Sequence, residues 1–547
     1  MIGPRAIASS LLLATALTNG CGGRSPEPVT ATSRSESAPA RLVVLLVYDQ
    51  WGSWVHALHH DALAPDGAVR WLEERGLVVE RARYAYAGTY TAPGHAAIVT
   101  GASPSESGIS SNRVWDRSRR RRVSSFDDGV HPLLARPDGF ASLAPLRVPT
   151  VADQLAAATA GRARIVAVAM KDRSALPSGG RSPTLSLWFD SATGRFTTSS
   201  ALAATLPAWV EDFTAGHPVD AYRGPWEPLR AYDELGPDAQ PGEGGYGLDA
   251  SFPHDATGLE DPDALLAMPG STELLLALAE RAVVEEHLGE DDVADFLSIS
   301  IGSTDYVGHA FGPESWEYRD HLIRVDRAVG QLLVRLAERT ALAVVLTSDH
   351  GVAPLPERAG LHALPPDARR WSTDEELPLL REYLDASLGA REGGWVDAWV
   401  VPYVYLASAV RDDATLRARA IAAIEAHLRA RPGIGRVVDV RDAATLRASP
   451  DEIERAVGLS IPDEPPGDVL VLPSEGSVVD DGAGTTGTAH GSAYPYDRDV
   501  PVLVVGPGVR PGRMTAPVAQ SRVAATLARL LGVPSPRADV RPLLGPE

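Results

Sequence analysis

An α/β fold with a mostly parallel central sheet flanked by helices is what this 547-residue chain predicts. Three observations carry that reading. Short apolar runs alternate with amphipathic helical stretches. Polar residues able to do chemistry follow the C-terminal ends of four of the runs, on the rim where open α/β sheets bind ligands. Hydrophobic residues make up 44% of the chain and charged residues 22%, enough for a large core and unlike a disordered or fibrous protein.

Along the chain, the first 21 residues open with Arg5 and an apolar run over 6–17 broken by two serines, then Thr18-Asn19-Gly20-Cys21. One positive charge, a short apolar region and a small residue before the break predict a signal peptide over 1–20, too short to span a bilayer as a mature helix. Cys21, the single cysteine, stands where a bacterial lipoprotein is cut and acylated, so the segment resembles a lipobox. Thr18 takes the place of the usual leucine, with Leu17 one step further out. Cys21 is therefore a candidate lipid attachment, and plain export with an unmodified cysteine is the alternative. A single cysteine also rules out intrachain disulfides and thiolate metal clusters. Residues 21–40, rich in Gly, Ser, Pro, Thr, Arg and Glu, read as a flexible tether.

The body, 41–547, reads as one domain. Residues 42–47, 165–169, 296–301, 342–346 and 500–505 are the candidate strands, and 69–75, 151–160, 272–288, 318–338, 415–429 and 521–531 the helices. In 318–338, Leu322, Val325, Val329, Leu332, Leu333 and Leu336 share one face. Two long stretches, about 175–270 and 355–485, have turn chemistry and little periodicity, and read as insertions at loop ends. Arginines 119–122, with Asp116, Asp127 and Asp128 close by, read as a solvated hairpin or loop. The formal net charge of −20 argues against nucleic acid as a partner.

The strand ends run into Asp49, into Lys171 and Arg173, into Asp305 and His309, and into Asp349 and His350. Asp305 and His309 stand four apart, close enough to share a metal if the turn is tight or helical. His490 lies in a Gly/Thr/Ala stretch that reads as an exposed loop. Three Asp, three His and no Cys make a ligand set suited to two Zn²⁺ or similar divalent ions. Any one pair alone could equally be a capped turn or a satisfied polar pair. Thr91 precedes Pro93 and a helical stretch over 96–100, which puts it at a helix N-terminus, where free N–H groups favour an anion. Its hydroxyl can ionise near neutral pH when metal-bound, and an ordinary N-cap is the alternative. Asn112 could donate its amide to a bound oxyanion. Lys171 is the only lysine in a chain with 50 arginines.

Asp49, Thr91-Ala-Pro-Gly-His95, Asn112, Lys171-Asp-Arg173, Asp305-x-x-x-His309, Ser348-Asp349-His350-Gly351 and His490-Gly-Ser occur in the order seen in the alkaline phosphatase superfamily. The chain resembles its branch of type I phosphodiesterases/nucleotide pyrophosphatases and exported phosphate-irrepressible alkaline phosphatases with a threonine nucleophile. The resemblance spans about 41–510. It implies an alkaline phosphatase-like core with a cap built from the insertions, and two metal ions. One would be held by Asp305, His309 and His490, the other by Asp49, Asp349, His350 and the Thr91 hydroxyl. The ions, expected ~4 Å apart, would clamp the attacking and leaving oxygens of an in-line displacement that phosphorylates Thr91. His95 is not a ligand in that pattern and is assigned a structural role. His56, His59 and His60 fall outside it and read as surface or helix residues.

A phosphate monoester carries about one more negative charge than a diester, so its site should offer extra cations. Asn112, Lys171 and Arg173 match the trio of the monoesterase branch, whereas 171–173 alone could be a charged turn. The resemblance therefore implies an exported phosphomonoesterase acting on small-molecule monoesters. Its only membrane link would be a possible N-terminal lipid, and no protein partner is expected. A phosphodiesterase/nucleotide pyrophosphatase is the alternative, and a non-catalytic tethered metal- or phosphate-binding protein a remote one. Tyr90, beside the nucleophile, departs from the pattern, which has a smaller residue there. No Cys-x-Pro-x-Arg motif is present, so sulfatase chemistry is excluded.

Overall fold

Every side chain of the Leu42–Tyr48 strand is buried, and alternate residues feed two different cores. Leu42, Val44, Leu46 and Tyr48 pack with helices Pro269–Glu285 and Trp316–Arg339, while Val43, Leu45 and Val47 pack with helices Thr91–Thr100, Val151–Ala158 and Arg522–Leu531. A strand apolar on both faces needs a sheet covered on both sides, and that sheet is the middle of three layers. The structure, a computed structural model, describes residues 39–481 and 486–545. The signal peptide and Cys21 lie outside the described residues, as does all of the tether but its last two residues.

The main sheet has ten strands. Five neighbours run parallel: Leu342–Thr347, Leu42–Tyr48, Asp295–Ile301, Ile165–Ala169 and Leu185–Asp190. Asp499–Val505 lies antiparallel between Leu342–Thr347 and Leu77–Arg83. The register is flush at the functional end, with Tyr48 opposite Ile301 and Val47 opposite Thr347. The residues that leave these strands therefore emerge at one level.

The predicted strands are present within a residue at each end, and the fold is the mostly parallel α/β sheet expected. Pro269 opens the helix that runs to Glu285, where proline's fixed φ suits the first turn, so this helix starts three residues before the predicted 272. The helix predicted over 318–338 runs Trp316–Arg339, because Ser315 caps it by accepting the Tyr318 N–H. Arginines 119–122 sit at a hairpin of Arg113–Asp116 with Arg121–Ser124, where Arg119 is paired with Asp116 and Asp127.

Two stretches differ from the reading of plain insertions. Leu185–Asp190 and Arg195–Thr197 fall within 175–270 yet form one edge of the main sheet. Within 355–485, Val396–Val400, Tyr403–Leu406, Val469–Pro473 and Ile434–Asp439 build a separate antiparallel sheet. Helices Thr373–Leu388 and Ala414–Arg429 share a small core with it. Its strands are four to six residues long, too short for a period-2 pattern to stand out. His56 and His59 are helical as expected but buried, since the helix Ser53–His59 turns back under the rim and His59 Nε2 meets the Pro313 carbonyl at 2.7 Å.

Helix Thr91–Thr100 is buried along its whole length and lies against the end of the Leu342–Thr347 strand at Gly94. A Cβ there would stand 2.3 Å from the Asp349 carbonyl oxygen. Gly94→Ala must push helix and strand end apart, and overpacking of this kind costs ~1–3 kcal/mol. The expected outcome is a lower melting temperature by calorimetry together with a loss of activity larger than the stability change explains, because the shift separates Thr91 from Asp349.

Candidate metal centre and active site

Three strand ends deliver the core of the site. Asp49 directly follows Tyr48, Ser348-Asp349-His350 follow Thr347, and Gly302 leads from Ile301 into the helix Ser303–Phe311, which carries Asp305 and His309 one turn apart. His490 arrives from the other direction. Asp499–Val505 runs antiparallel, so the residues preceding that strand, not those following it, reach this rim. Gly491, with φ +105°, brings the chain tightly past the Tyr90 ring.

Two clusters of potential ligand atoms result, each with its atoms within 4.8 Å of one another: Asp305, His309 and His490, and Asp49, Asp305 and His350. His309 Nε2 is 3.1 Å and His490 Nε2 3.6 Å from Asp305 Oδ1. His350 Nε2 is 3.4 Å from both Asp49 Oδ1 and Asp349 Oδ2. The six Asp and His side chains expected as ligands are thus brought together, and Asp305 is common to both clusters.

The donor set fits cations. His309, His350 and His490 each direct Nδ1 at a backbone carbonyl, of Thr488, Gly351 and Thr89, at 2.7, 2.9 and 2.7 Å. Donation from Nδ1 leaves the Nε2 lone pair to face the cluster. Asp49 Oδ1, Thr91 Oγ1, Asp349 Oδ2 and His350 Nε2 are buried and have no hydrogen-bond partner among the described residues. A buried unsatisfied polar atom costs ~1–3 kcal/mol, and His350 Nε2 lies 3.4 Å from both of these carboxylate oxygens, an arrangement that a cation would satisfy. His95 is different: Nδ1 meets the Thr91 carbonyl at 3.0 Å and Nε2 the Ser300 hydroxyl at 2.8 Å. Its ring also stands 3.2 Å from Asp349 Oδ2, so it braces the site.

Charge crowding shows in the acid–base behaviour. Burial and the neighbouring Asp349 push the Asp49 carboxyl up to about 8, against the pull of Lys171. Burial would also raise Asp305, but His309 and Lys171 hold it well below the usual carboxylate range. Burial and the stacked His350 ring, 3.6 Å away between centroids, depress His490.

Lys171 lies deeper than a substrate-facing lysine was expected to. Its ammonium sits 2.7 Å from Asp49 Oδ2 and 2.5 Å from Asp305 Oδ2, buried, with the Tyr306 ring 5.1 Å away. These two carboxylates keep it charged despite burial. Asn112 accepts the Ala92 N–H through Oδ1 at 2.8 Å, which leaves its amide N–H groups to donate. Arg173 has one ion-pair partner within reach, Asp172 at 3.8 Å, and its Nε has no hydrogen-bond partner among the described residues. Asn112, Lys171 and Arg173 line a cavity of about 470 Å³. Asn112 and Arg173 also line a second cavity of about 470 Å³, walled by Tyr90, Tyr246, Tyr306 and His490. Tyr90 caps helix Thr91–Thr100 with its ring 5.6 Å from that of His490, so it forms a wall of the site beside Thr91.

Sequence reasoning missed Gln50 and Tyr306. Gln50 Nε2 donates to Asp305 Oδ1 at 2.8 Å and its backbone N–H to Asp349 Oδ1 at 3.2 Å, tying the two clusters together. Its φ of +68° is unfavourable for a residue with a side chain, the kind of strain that collects at functional sites. Its one sequence signal is its place next to Asp49.

A family model described as type I phosphodiesterase / nucleotide pyrophosphatase matches residues 69–492. Alkaline phosphatase PhoV of Synechococcus elongatus is 28% identical, over 92% of this chain and 92% of its own length. Alkaline phosphatase PafA of Elizabethkingia meningoseptica is 28% identical, over 91% and 93%. A protein of Myroides odoratus named calcium-transporting ATPase is 29% identical, over 91% and 93%. A crystal structure of wild-type PafA superposes with a TM-score of 0.83 at 27% identity, covering 92% of this chain and 98% of that one.

Removing divalent ions with a chelator is expected to lower the melting temperature, and Zn²⁺ to restore it, each site contributing about 2.7 kcal/mol of stability at a hundredfold excess over Kd. Scanning calorimetry with and without chelator reads this, and an unchanged transition would rule out cations at the rim.

Proposed function

The chain belongs to the type I phosphodiesterase / nucleotide pyrophosphatase family, and on that footing we propose that it is an exported phosphomonoesterase of the alkaline phosphatase type. Asp305, His309 and His490 would hold one divalent ion, and Asp49, Asp349, His350 and the Thr91 oxygen the other. Zn²⁺ is the first choice for so many imidazoles and carboxylates. Such a pair supplies Lewis acidity, lowering the pKa of an oxygen nucleophile and offsetting charge on the attacking and leaving oxygens.

The chain's own residues do the rest. Thr91 Oγ attacks phosphorus, the Oγ–P bond forms, and the bond to the leaving oxygen breaks. Hydrolysis of the phosphothreonine then returns the threonine hydroxyl and inorganic phosphate. Asn112 would donate its free amide hydrogens to a phosphoryl oxygen, and Arg173 its fork of N–H groups. Lys171 would hold Asp49 and Asp305 apart from each other's charge and present its remaining N–H to the third oxygen. His95, bonded to the Thr91 carbonyl and beside Asp349, would set the spacing of nucleophile and ligand.

The observation that carries the monoester reading is the buried ammonium of Lys171 between one carboxylate of each cluster, on the same cavity as Arg173 and Asn112. A diester, with one less negative charge, gains less from these cations. The description of the matching family model favours one second reading, a phosphodiesterase or nucleotide pyrophosphatase. The names of the two phosphatase relatives support the first reading. Export rests on the N-terminal sequence, as does an anchor at Cys21.

Thr91→Ala is expected to abolish turnover of aryl phosphates while the circular dichroism spectrum stays unchanged. Lys171→Ala should cut kcat/KM for aryl monoesters at least tenfold more than for bis-aryl diesters, and equal losses on both would remove its discriminating role. In a bacterial host, wild-type chain should partition into the detergent phase and take up labelled fatty acid, and Cys21→Ser should do neither. Label retained by the variant would rule out attachment at Cys21.

A further inference from the structure

A second group of potential ligands lies behind the rim, on the helix that follows Asp49. His56 sits on the helix Ser53–His59 and His60 opens the next short turn, so the two rings stand edge to face 5.2 Å apart. Glu73 closes the helix Ala68–Glu73 beside them. One donor atom from each of the three lies within 4.8 Å of the other two. We propose that His56, His60 and Glu73 form a further site for Zn²⁺ or a similar borderline divalent ion, with a bracing rather than a chemical role.

Three features point to a ligand rather than a closed polar cluster. His56 is only 7% exposed, yet its Nδ1 has no hydrogen-bond partner among the described residues. His60 Nε2 faces both oxygens of Glu73, at 3.0 and 3.1 Å, and the Arg70 guanidinium at 3.1 Å. A proton on Nε2 suits the carboxylate and opposes the guanidinium, and a lone pair does the reverse. A cation between Nε2 and Glu73 satisfies both acceptors. Finally, the outer partners that hold metal ligands are in place. Asp61 Oδ1 lies 3.1 Å from His60 Nδ1, and Arg513 holds Glu73 Oε1 at 3.1 Å.

Arg70 and Arg513 bring positive charge to this point through Glu73, at 3.2 and 3.1 Å, and with side chains 31% and 45% exposed they would compete with the ion for its carboxylate. A cavity of about 580 Å³, lined in part by Trp54, His56, His60, Tyr496 and Arg513, gives an entry path and an open position for water. Two imidazoles, one carboxylate and an open position form a donor set that zinc accepts. The ion would tie the segment behind Asp49 to helix Ala68–Glu73, with His56 packed edge-on against Trp51 at 4.8 Å.

The test uses the full chain, equilibrated with Zn²⁺ in phosphate-free buffer, desalted and assayed for metal by mass spectrometry. The double variant His56→Ala/His60→Ala is expected to hold one Zn²⁺ fewer per chain than wild type. Glu73→Gln should bind that ion at least tenfold more weakly in a calorimetric titration. Both variants should keep aryl phosphate turnover within twofold. Equal metal content in wild type and double variant would overturn the proposal, leaving His60, Asp61 and Glu73 as a closed polar cluster. Should the double variant fail to fold, Glu73→Gln decides alone, and an unchanged titration overturns the site. The readout is a difference of one ion, so it does not depend on the catalytic reading or on how many ions the rim holds.

Discussion

Three buried carboxylates, Asp49, Asp305 and Asp349, converge on one point with a single ammonium, Lys171, among them. Burying charge in a protein interior costs several kcal/mol per ion unless it is paired and hydrogen-bonded. Much of the surrounding architecture is explicable as a response to this debt of charge. Gln50 donates to two of the carboxylates, three imidazoles turn their lone pairs inward, and a helix N-terminus lies close by. The flush register of the parallel strands is what makes the convergence possible. One residue of slip would turn the side chains along a strand to the other face of the sheet and move the residues that leave it out of level with their neighbours.

How much of this is readable in the sequence depends on where each residue sits. Residues that leave a parallel strand are legible, because the apolar run announces the strand and the topology announces the rim. Asp49, Asp305, Asp349 and His350 are of this kind. His490 is legible only through the motif it shares with a family, since it precedes an antiparallel strand and no local rule points it inward. Gln50 is marked only by its place next to Asp49, because its role comes from a strained turn and from contacts with residues 255 and 299 positions away. The depth of Lys171 is likewise invisible. A lysine after a strand reads as a solvated charge, and only the pairing with Asp49 and Asp305 shows it to be buried.

The two long stretches beyond the core behave differently from each other. The first donates two strands to the sheet edge before leaving it, and Tyr246 and Asp263 from its later part line the cavities. The second folds around its own small antiparallel sheet and contributes Val401, Asp480 and Asp481 to a cavity wall. Most of the candidate ligand residues thus stand at the ends of the rigid sheet and on the helix that follows it, while the walls that would meet a leaving group stand on added segments. A division of this kind lets one reaction centre serve different substrates as the walls change.

The antiparallel Asp499–Val505 strand has a consequence in time as well as space. His490 joins Asp49 across more than four hundred residues of intervening chain, so the site closes through one of the longest loops the protein contains. Contacts of such separation form late in folding, after local structure is already in place. A chain emerging from its N-terminus holds the carboxylates long before the last imidazole arrives. An ion held, as proposed, by Asp305, His309 and His490 would be captured in full coordination only when nearly all of the polypeptide has been delivered. On the proposed export, the compartment in which folding finishes, rather than the one in which synthesis begins, would set which metal the protein carries.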